Sequence, residues 1–592
     1  ISGAAGTETV TMSNNTSVAK GFNTTTGMNA GSDNKIDITA HNFLDGDAVV
    51  YTKVGNQNIG LTDGTTYYVR AATANDFELA TAPGGNAIVL QAAGGNQTHT
   101  FSASHTTFAA ADVTTGTNTI ADGQHGFATG DAVTYTVPAG GTVLGGLTGG
   151  TVYYVIRADA NSYKLASSYA NAVAGTAVNI TDQQIGQITK TIVAHDNVET
   201  YALATGMNTI LINASDLDTN VTGSANNDTV DVAGLTVTGT YALAGGTDNA
   251  ISAKNGANIS GATITNTGSG SRYSVKLADA AAVTMTHDQN NIAKDITGAG
   301  GTESVTVTDA TGAAISFNGG AGGVATGTNT ITTTTAHGFV TGDAVTYRLP
   351  DSGTVPTGLT SGTVYYVVYV SNNTLKLATS YDNAVAGTVI NISGTGGTNG
   401  HVLSKTVVAH DNVETYVLAA GTNEIRINAS DLDTNVTGNS GADTVDVAGL
   451  TVTGTYSLAA GANAIVAANG AAIQGATIAT VGGTYSVNLA SGASVTMTDD
   501  HNNTATDITG ASGTEQITIS AATGAATTIN GSSALVVILA DDRISVTSHG
   551  YATGDAVVYR ATAGSNPITG LTSGTVYYVI SNSAHQFSLA SS

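Results

Sequence analysis

The stretch HGYATGDAVVYRATAGSNPITGLTSGTVYYV, residues 549–579, sets the pattern for much of the chain. It recurs three more times with small changes, and each copy is anchored by the aspartate of a Gly-Asp-Ala-Val segment. These aspartates are Asp47, Asp131, Asp343 and Asp555. The interval from Asp131 to Asp343 equals the interval from Asp343 to Asp555, whereas Asp47 lies much closer to Asp131. The two equal intervals indicate duplication of a large unit, with one extra short module placed before the first copy.

Short alternating runs within this repeat predict β-strands. The runs GDAVTY, GTVYYVI and NSYKLAS are rich in β-branched and aromatic residues, and Gly, Asn and Asp punctuate the sequence between them. Five or six such strands in roughly 80 residues predict a small β-barrel or sandwich for each short module.

A second, longer repeat fills the intervals. The phrase VAHDNVETYALATGMNTILINASDLDTNVTG from Val193 is echoed from Val408. Phrases of the type TYALA recur inside each copy at one constant step, from Thr200 to Thr240 and from Thr415 to Thr455. Gly, Asn and small residues interrupt the short alternating runs of this repeat. The pattern predicts coils of a β-helix or β-roll stacked along one axis, with a β-sandwich as the alternative.

The predicted fold class is therefore all-β: a tandem array in which small barrel or sandwich modules alternate with longer solenoid-like modules. The first residues, ISGAAGTETVTM, align with Ile296 and Ile508, so we expect the chain to begin in the tail of a long module. We predict a truncated long module at 1–27, short modules at 28–105 and 106–190, a long module at 191–322, a short module at 323–403, a long module at 404–532 and a truncated short module at 533–592.

Charge and composition narrow the possible partners. The chain has 17 Lys and Arg against 42 Asp and Glu, for a net charge of −25. Such a chain repels phosphate backbones, so nucleic acid is not expected as a partner. Divalent cations are the partners that this charge favours. The alternative is that the excess acid only keeps a repetitive protein soluble. The sequence has no cysteine, so we predict no disulfides. It has no long apolar run, so we predict no membrane span.

Carboxylates and asparagines recur at alternate positions in the long modules. The stretch DLDTNVTGNSGADTVD, residues 431–446, places oxygen donors on a turn-rich backbone, and oxygen is the donor that Ca²⁺ prefers. The alternative is that Asp and Asn cap turns without an ion. The predicted calcium ligands are Asp216, Asp218, Asn220, Asp228 and Asp231 in the first copy, and Asp431, Asp433, Asn435, Asp443 and Asp446 in the second.

Paired tyrosines mark one strand of every short module. Because neighbouring residues on a strand point to opposite faces, one tyrosine of each pair is expected in the core. The other either packs against a neighbouring module or offers a stacking platform for sugar. The candidates for that platform are Tyr154, Tyr366 and Tyr578. The histidine that opens the repeat, such as His125, has no second His or Cys nearby and is predicted to be structural.

The phrase GNSGADTVD resembles the nonapeptide repeat of RTX (repeats-in-toxin) β-rolls, which bind Ca²⁺ between successive turns. Gly438, Gly441, Asp443 and Val445 match that pattern, whereas Asn439 replaces its second glycine. In its repeat organisation the whole chain resembles giant repetitive surface proteins of bacteria: S-layer-like proteins, RTX-type adhesins and extracellular filament proteins.

The resemblance implies an extracellular structural protein of the bacterial cell surface. It would associate with itself in a layer, filament or adhesin stalk, stabilised by calcium. The alternatives are a carbohydrate-binding adhesin that contacts cell-surface polysaccharide, or a phage tail-fibre segment. A polysaccharide-degrading β-helix enzyme ranks below them. No acid pair stands out for glycoside hydrolysis, and phosphate loops, nucleophile elbows and zinc spacings are absent, so the chain is predicted not to be an enzyme.

Overall fold

Strands dominate a chain that divides into two compact units, Ile1–Val305 and Thr306–Ser592. No helix in the described part of the chain is long and apolar enough to cross a membrane. A computed structural model describes residues 8–591 apart from 32, 56–57, 64, 83, 93–94, 104, 139–140, 268–271, 299–301, 350–352, 399, 511–514, 521–536, 539–541, 547 and 562–566.

The first unit opens with strand β1 (Thr9–Thr11) and continues into two short modules. Short module 1 contains β2 (Val18–Asn23), β3 (Ile36–Asp37), β4 (Ala48–Thr52), β5 (Thr66–Arg70), β6 (Asp76–Ala80) and β7 (Thr98–Ala103). Short module 2 contains β8 (Thr106–Phe108), a 3₁₀ turn (Ala110–Asp112), β9 (Val113–Thr114), β10 (Thr119–Ala121), β11 (Ala132–Thr136), β12 (Thr151–Arg157), β13 (Ser162–Ala166), α1 (Tyr169–Val173) and β14 (Gly186–Lys190).

Each short module is one curled antiparallel sheet. The strand order is β2-β7-β4-β5-β6-β3 in the first and β8-β14-β11-β12-β13-β10-β9 in the second. The two strands at the ends of each order follow one another in sequence, so the sheet curls back toward its own start. Alternation puts one face inward, and the core of short module 2 includes Phe127, Tyr135, Tyr163 and Ile188.

Long module 1 follows and ends the first unit. It contains β15 (Ile192–Val193), β16 (Thr200–Ala202), β17 (Asn208–Leu211), β18 (Asn220–Thr222), β19 (Asp228–Asp231), β20 (Thr240–Leu243), β21 (Ala250–Ala253), β22 (Thr263–Asn266), β23 (Ser274–Leu277), β24 (Ala282–Met285), α2 (His287–Ile292) and β25 (Ile296–Thr297).

The strands of long module 1 form a β-solenoid of stacked parallel coils. One sheet runs β16-β18-β20-β22 and the other β15-β17-β19-β21-β23-β25. Thr200 pairs with Asn220, and this separation is the length of one coil, half the step visible in the sequence. Parallel bridges from Thr236 to Asn258 and on to Thr284 add a third face in the later coils. The predicted solenoid is confirmed, and the sandwich alternative for this module is wrong.

Strand β1 belongs to the solenoid rather than to the short modules that follow it. It pairs in parallel with β16, with Val10 opposite Tyr201. The Asn15 side chain donates to the Thr205 carbonyl, far along the chain beyond both short modules. Both short modules are therefore inserted between two adjacent coils of one stack.

The second unit repeats this plan. After β26 (Ser304–Val307), short module 3 contains β27 (Ile315–Phe317), β28 (Val324–Ala325), β29 (Thr330–Thr332), β30 (Ala344–Arg348), β31 (Thr363–Ser371), β32 (Thr374–Ala378), α3 (Tyr381–Val385) and β33 (His401–Lys405). Its order is β27-β33-β30-β31-β32-β29-β28, the same as in short module 2. The Gly312 amide donates to the Thr422 carbonyl, so the segment before this module also reaches the solenoid that follows it.

Long module 2 is a solenoid and short module 4 closes the chain. Long module 2 contains β34 (Val407–Val408), β35 (Thr415–Val417), β36 (Asn423–Arg426), β37 (Asn435–Thr437), β38 (Asp443–Ala448), β39 (Thr455–Leu458), β40 (Ala462–Ala467), β41 (Thr477–Thr480), β42 (Thr484–Leu489), β43 (Ser494–Met497), α4 (Asp499–Thr504), β44 (Asp507–Gly510) and β45 (Gln516–Ile519). Short module 4 contains β46 (Val537–Ile538), β47 (Arg543–Ser545), β48 (Ala556–Val558), β49 (Val576–Ser583) and β50 (Gln586–Ala590), in the order β46-β47-β50-β49-β48.

The predicted all-β array of short and solenoid modules is confirmed. The short-module sheets also include β2 and β27, which precede residues 28 and 323. Both strands come before the recurring His-Gly motif that marks the module in the sequence. Their pairing partners, β7 and β33, are the last strands of their modules, so no local signal connects the two ends.

Stacked glycines allow the solenoid corners to approach closely. Gly421 and Gly441 have φ of +120° and +134°, in the region that favours glycine. A Cβ on Gly441 would lie 2.1 Å from the Gly421 carbonyl oxygen of the coil before it. Side chains at these corners would push adjacent coils apart, which accounts for part of the high glycine content.

Candidate functional site: the junctions between modules

The His-Gly motif of the short modules is a structural hydrogen-bonding device. His125 Nδ1 accepts from the Phe127 amide at 3.0 Å, and its Nε2 lies 3.0 Å from the Asp159 carbonyl. His41, His337 and His549 repeat the Nδ1 contact at 3.0 Å. The ring must be neutral, with the proton on Nε2, to serve both partners. The structural role predicted for these histidines fits this geometry.

We expect acid to loosen this motif. Burial lowers the pKa of His125, so the unfolded state binds its proton more readily than the folded state does. The contribution of the neutral ring is complete above the unfolded-state pKa near 6.5 and is lost as the pH falls from there through the lower folded pKa. Amide hydrogen exchange at Phe127 should accelerate between pH 7 and pH 5, after correction for intrinsic rates. His125→Asn is the control, because its amide oxygen can accept without titrating, and equal acceleration in both proteins would contradict the expectation.

One tyrosine of each pair is buried, as predicted. Tyr153 is in the core, and its hydroxyl accepts from the Thr148 amide at 2.8 Å. Tyr67, Tyr365 and Tyr577 make the same bond to the equivalent threonine at the start of the turn. This contact explains why the phrase GLTSGTVYY recurs, since the hydroxyl fixes the turn that leads into the strand.

The second tyrosines, proposed from the sequence as sugar platforms, are half-buried on the opposite face. The Tyr154 ring meets Tyr169 of α1 edge-on, with centroids 6.3 Å apart. Tyr366 and Tyr578 occupy equivalent strand positions, each opposite an alanine of the neighbouring strand. In the contact between Tyr154 and Tyr169, the Tyr169 ring is the more exposed of the two, at 60%.

The predicted calcium ligands occupy four distinct places in each solenoid. Asp228 and Asp443 lie inside the stack, where hydrogen bonds link adjacent coils. Asp443 Oδ1 accepts from Asn423 Nδ2 at 2.8 Å, Oδ2 accepts from the Asn439 amide at 3.1 Å, and the Asp443 amide donates to Asn463 Oδ1 at 3.0 Å. Burial raises the pKa of Asp443. Its carboxylate oxygens are thus already engaged by donors of the protein.

The first copy contains the same ladder. Asp228 Oδ1 accepts from Asn208 Nδ2 at 2.7 Å, and the Asp228 amide donates to Asn249 Oδ1 at 2.7 Å. Burial raises the pKa of Asp228 to about 6. Sequence reasoning singled out the two aspartates but missed their asparagine partners. The coil length would have identified these partners, because it places Asn208 and Asn249 directly beside Asp228 in the adjacent coils.

Asn220 and Asn435 are the first residues of β18 and β37. Asn220 Oδ1 accepts from the Thr240 amide, and Asn435 Oδ1 from the Thr455 amide, both at 2.8 Å. Each of these side chains therefore ties its coil to the next one, a single coil length along the chain.

Asp216 with Asp218, and Asp431 with Asp433, form carboxyl pairs in surface turns. Burial, a hydrogen bond that protonated Asp431 donates to Asp433, and the charge of Asp433 together raise the pKa of Asp431 to about 6. The pKa of Asp216, beside Asp218, is raised for the same reasons. Two carboxyls that share a proton in this way repel each other once both ionise. Such a pair is the part of the predicted ligand set that a divalent cation would suit.

The described residues contain no group of three or more His, Asp or Glu side chains placed to hold a metal ion. The five predicted ligands of each copy are thus not gathered into one site. The RTX-like phrase folds as a turn capped by Asp443 itself. Calcium binding stays a prediction, and its best remaining location is the pair of surface carboxyls in each solenoid.

Asp446 lies where short module 3 meets long module 2. Its side chain is 2% exposed and contacts two guanidinium groups, Arg348 of β30 and Arg426 of β36. The Arg426 contact measures 2.6 Å, and Arg348 also pairs with Glu424 at 2.7 Å. Although burial disfavours its charge, Glu424 and Asp446 hold the pKa of Arg348 above its usual value. Arg426 reaches on to the Gly362 carbonyl of the short module at 2.9 Å.

The first unit builds the equivalent junction from different residues. Asp231, the counterpart of Asp446, is buried, and burial raises its pKa against the opposing charge of Lys254. Lys254 Nζ contacts the Gly150 carbonyl, which is the counterpart of Gly362. The cation comes from the coil after the aspartate in this copy, and from the coil before it in the second. The buried carboxylate thus faces different cations in the two copies, whereas the contact between the short module and the solenoid is present in both.

A third junction joins the two consecutive short modules. Lys20 of β2 pairs with Asp122, which follows β10, at 2.7 Å, and both side chains are fully buried. Asn42 Nδ2 also donates to Asp122 at 3.2 Å. Burial raises the pKa of Asp122 in spite of the lysine. Sequence reasoning missed this pair, although Asp122 stands just before the His-Gly motif, where the other copies have Ile38, Thr334 and Val546.

No protein-family model matches the chain, and no curated protein matches it. The fold and the junctions define an all-β repeat protein with solenoid modules, and its proposed function rests on them.

Proposed function

We propose that this chain is an extracellular structural repeat protein of bacteria that associates with itself in a surface layer, filament or adhesin stalk. It carries out no catalysis, and its function is to supply length and stiffness. The observation that supports this most directly is the pairing of β1 with β16, which continues one solenoid stack across two inserted modules.

Stiffness follows from how the modules are joined. Parallel pairing between coils buries each apolar face against its neighbours, so every added coil extends the stack. The short modules are attached through ion pairs of the buried Asp122 and Asp446, and through the buried Asp231 facing the charge of Lys254, instead of by free linkers. Solenoid stacks with firmly attached short modules suit a lattice or stalk, in which identical contacts must recur at identical spacing.

Negative-stain microscopy of the purified chain tests this proposal. We expect straight rods, and at higher protein concentration ordered filaments or sheets with a regular repeat. Rods whose segments bend freely at the junctions, or monodisperse particles at every concentration, would speak against a self-associating structural role.

Calcium is proposed to act on the surface carboxyl pairs. Since the folded pKa of Asp431 lies near 6, above its unfolded value, its contribution to stability is present below the unfolded pKa and is lost as the pH rises through 6. A bound cation would relieve that loss. The melting temperature should therefore rise with millimolar Ca²⁺ at pH 7.5 and change little at pH 5.

The matched variants for this prediction are Asp431→Asn with Asp433→Asn, and Asp382→Asn as the control, since Asp382 is an exposed acid of α3. The paired variant should reduce the calcium response of the melting transition, whereas the control should keep it. An EDTA-treated protein that melts at the same temperature as the calcium-loaded one at pH 7.5 would rule calcium out.

A further inference from the structure

Lys20 and Asp122 form an ion pair that is closed off from solvent. Both side chains are fully buried, and Nζ lies 2.7 Å from Oδ1, although the two residues are 102 positions apart in the chain. The Lys35–Asp76 pair of short module 1 has a similar contact, at 2.5 Å, but its side chains are 28% and 26% exposed. The pair at the junction of the two short modules is therefore in a different chemical environment.

The charged form of this buried pair is costly. Burial disfavours both ions, and their attraction offsets that cost only where the remaining polar atoms also find partners. Lys20 Nζ contacts the Gly123 carbonyl as well, but Asp122 Oδ2 has no hydrogen-bond partner among the described residues. Burial raises the pKa of Asp122 against the opposing effects of Lys20 and of the nearby Thr106 hydroxyl. The surroundings thus favour a neutral product over the ion pair.

The contacts also hold the two groups in a reactive arrangement. Lys20 Nζ lies against Oδ1, which is one covalent bond away from Cγ, so the amine and the carboxyl carbon are already brought together. Asn42 Nδ2 donates to Oδ1 at 3.2 Å, at the atom where negative charge develops when a nucleophile adds to Cγ. Oδ2 gives up no hydrogen bond and is the oxygen that can leave.

We propose that Lys20 and Asp122 condense in the folded chain to form an intramolecular isopeptide bond. A proton first passes from Nζ to Oδ2, which leaves a neutral amine and a neutral acid. The Nζ lone pair then adds to Cγ, a second Nζ proton moves to Oδ2, and the bond from Cγ to Oδ2 breaks. One amide forms and one water is released, with no oxidant, reductant or other reactant consumed.

The product suits the site better than the ion pair does. An amide carries no charge, so the cost of burying two ions is removed. A site that excludes water also protects the new amide from hydrolysis. The link joins β2 of short module 1 to the residue that follows β10 in short module 2, and so fixes one module to the other. The ion pair is the state of the freshly folded chain, and the inference needs no self-association because the reaction lies within one chain.

Mass spectrometry of the denatured full chain tests this inference. We expect wild-type chains to lack the mass of one water, in a fraction that increases with the age of the folded protein. Trypsin should fail to cleave after Lys20 in this fraction, because the amine is acylated. It should release a branched product in which the peptide ending at Lys35 is joined to residues 71–157. The Lys35–Asp76 pair is the internal control, and cleavage after Lys35 should stay complete.

Two further controls separate this reaction from others. Lys20→Arg keeps a cation beside Asp122 but offers no amine, so it should retain the full mass. In concentrated urea, where the site is not assembled, the linked fraction of the wild type should stop increasing.

Asp122 precedes Gly123, and an Asp-Gly sequence can also lose water by cyclising onto its own backbone amide. Equal water loss in Lys20→Arg, with no branched peptide in the wild type, would assign the loss to that reaction and overturn the inference. Full mass and complete cleavage after Lys20 in aged, folded wild-type protein would overturn it as well.

Discussion

Replacing Asp446 with alanine should lower the free energy of unfolding of the junction between short module 3 and long module 2 by about 3–5 kcal/mol. The change removes the shared partner of two guanidinium groups, and the side chains of Arg348 and Arg426 are only 16% and 21% exposed. Arg348 would retain Glu424, and Arg426 would retain the carbonyl of Gly362. A net positive charge would then be left in a poorly hydrated junction.

Native-state hydrogen exchange is the appropriate measurement, because a chain of several modules does not unfold in one step. Peptides that cover β30 and β36 should exchange faster in Asp446→Ala, while peptides from short module 2 should be unchanged. Asp231→Ala is the matched variant, since it removes the equivalent aspartate and also leaves one uncompensated cation, Lys254, at the junction of the first unit. Faster exchange in one copy with no change in the other would refute the account based on stranded charge.

The residues of the junction in the first unit can also be transferred to the equivalent junction in the second. Residues Thr136, Thr209, Leu211 and Lys254 of the first unit correspond to Arg348, Glu424, Arg426 and Ala468 of the second. The combined variant Arg348→Thr, Glu424→Thr, Arg426→Leu and Ala468→Lys should therefore be more stable than Asp446→Ala. Both natural junctions keep the buried aspartate and one cation that reaches the glycine carbonyl.

Much of the fold was predictable because repeats and strand alternation are local signals. The equal spacing of Asp131, Asp343 and Asp555 revealed the modules, and alternation revealed their strands. The true coil length was not predicted, since only every second coil begins with the phrase Thr-Tyr. Tyr201 and Tyr241 carry it, but the coil between them has Val221 in the tyrosine position.

The candidate site was only partly predictable, for a physical reason. The repeat spacing identified Asp228 and Asp443 as candidate functional carboxylates, and the oxygen-rich turns indicated calcium as their ligand. What decides their role is the amide of an asparagine one coil away, and that neighbour is known only once the coil length is known. Asp231 and Asp446 at the junctions were likewise found as ligand candidates, whereas their partners Lys254 and Arg348 lie in positions that no repeat predicts.

The strongest local effect in the first unit is expected for Lys20→Met. This change removes the cation partner of Asp122 in a fully buried position, leaves the neutral Asn42 amide as a donor to it, and should cost about 3–5 kcal/mol. Hydrogen exchange should accelerate in β2 and β10, on the two sides of the contact. The melting of the second unit should be unaffected.

The double variant Lys20→Met with Asp122→Leu separates pairing from packing. Burial raises the pKa of Asp122 even beside the lysine, so the ion pair is costly to desolvate at neutral pH. Replacing both partners with apolar residues of similar size should therefore restore most of the stability lost in the single variant. If the double variant were as unstable as Lys20→Met, shape rather than charge would hold the two short modules together. The other short modules have Ile38, Thr334 and Val546 at the position of Asp122. In that event, their lack of an acid there would not determine which short modules pack against each other.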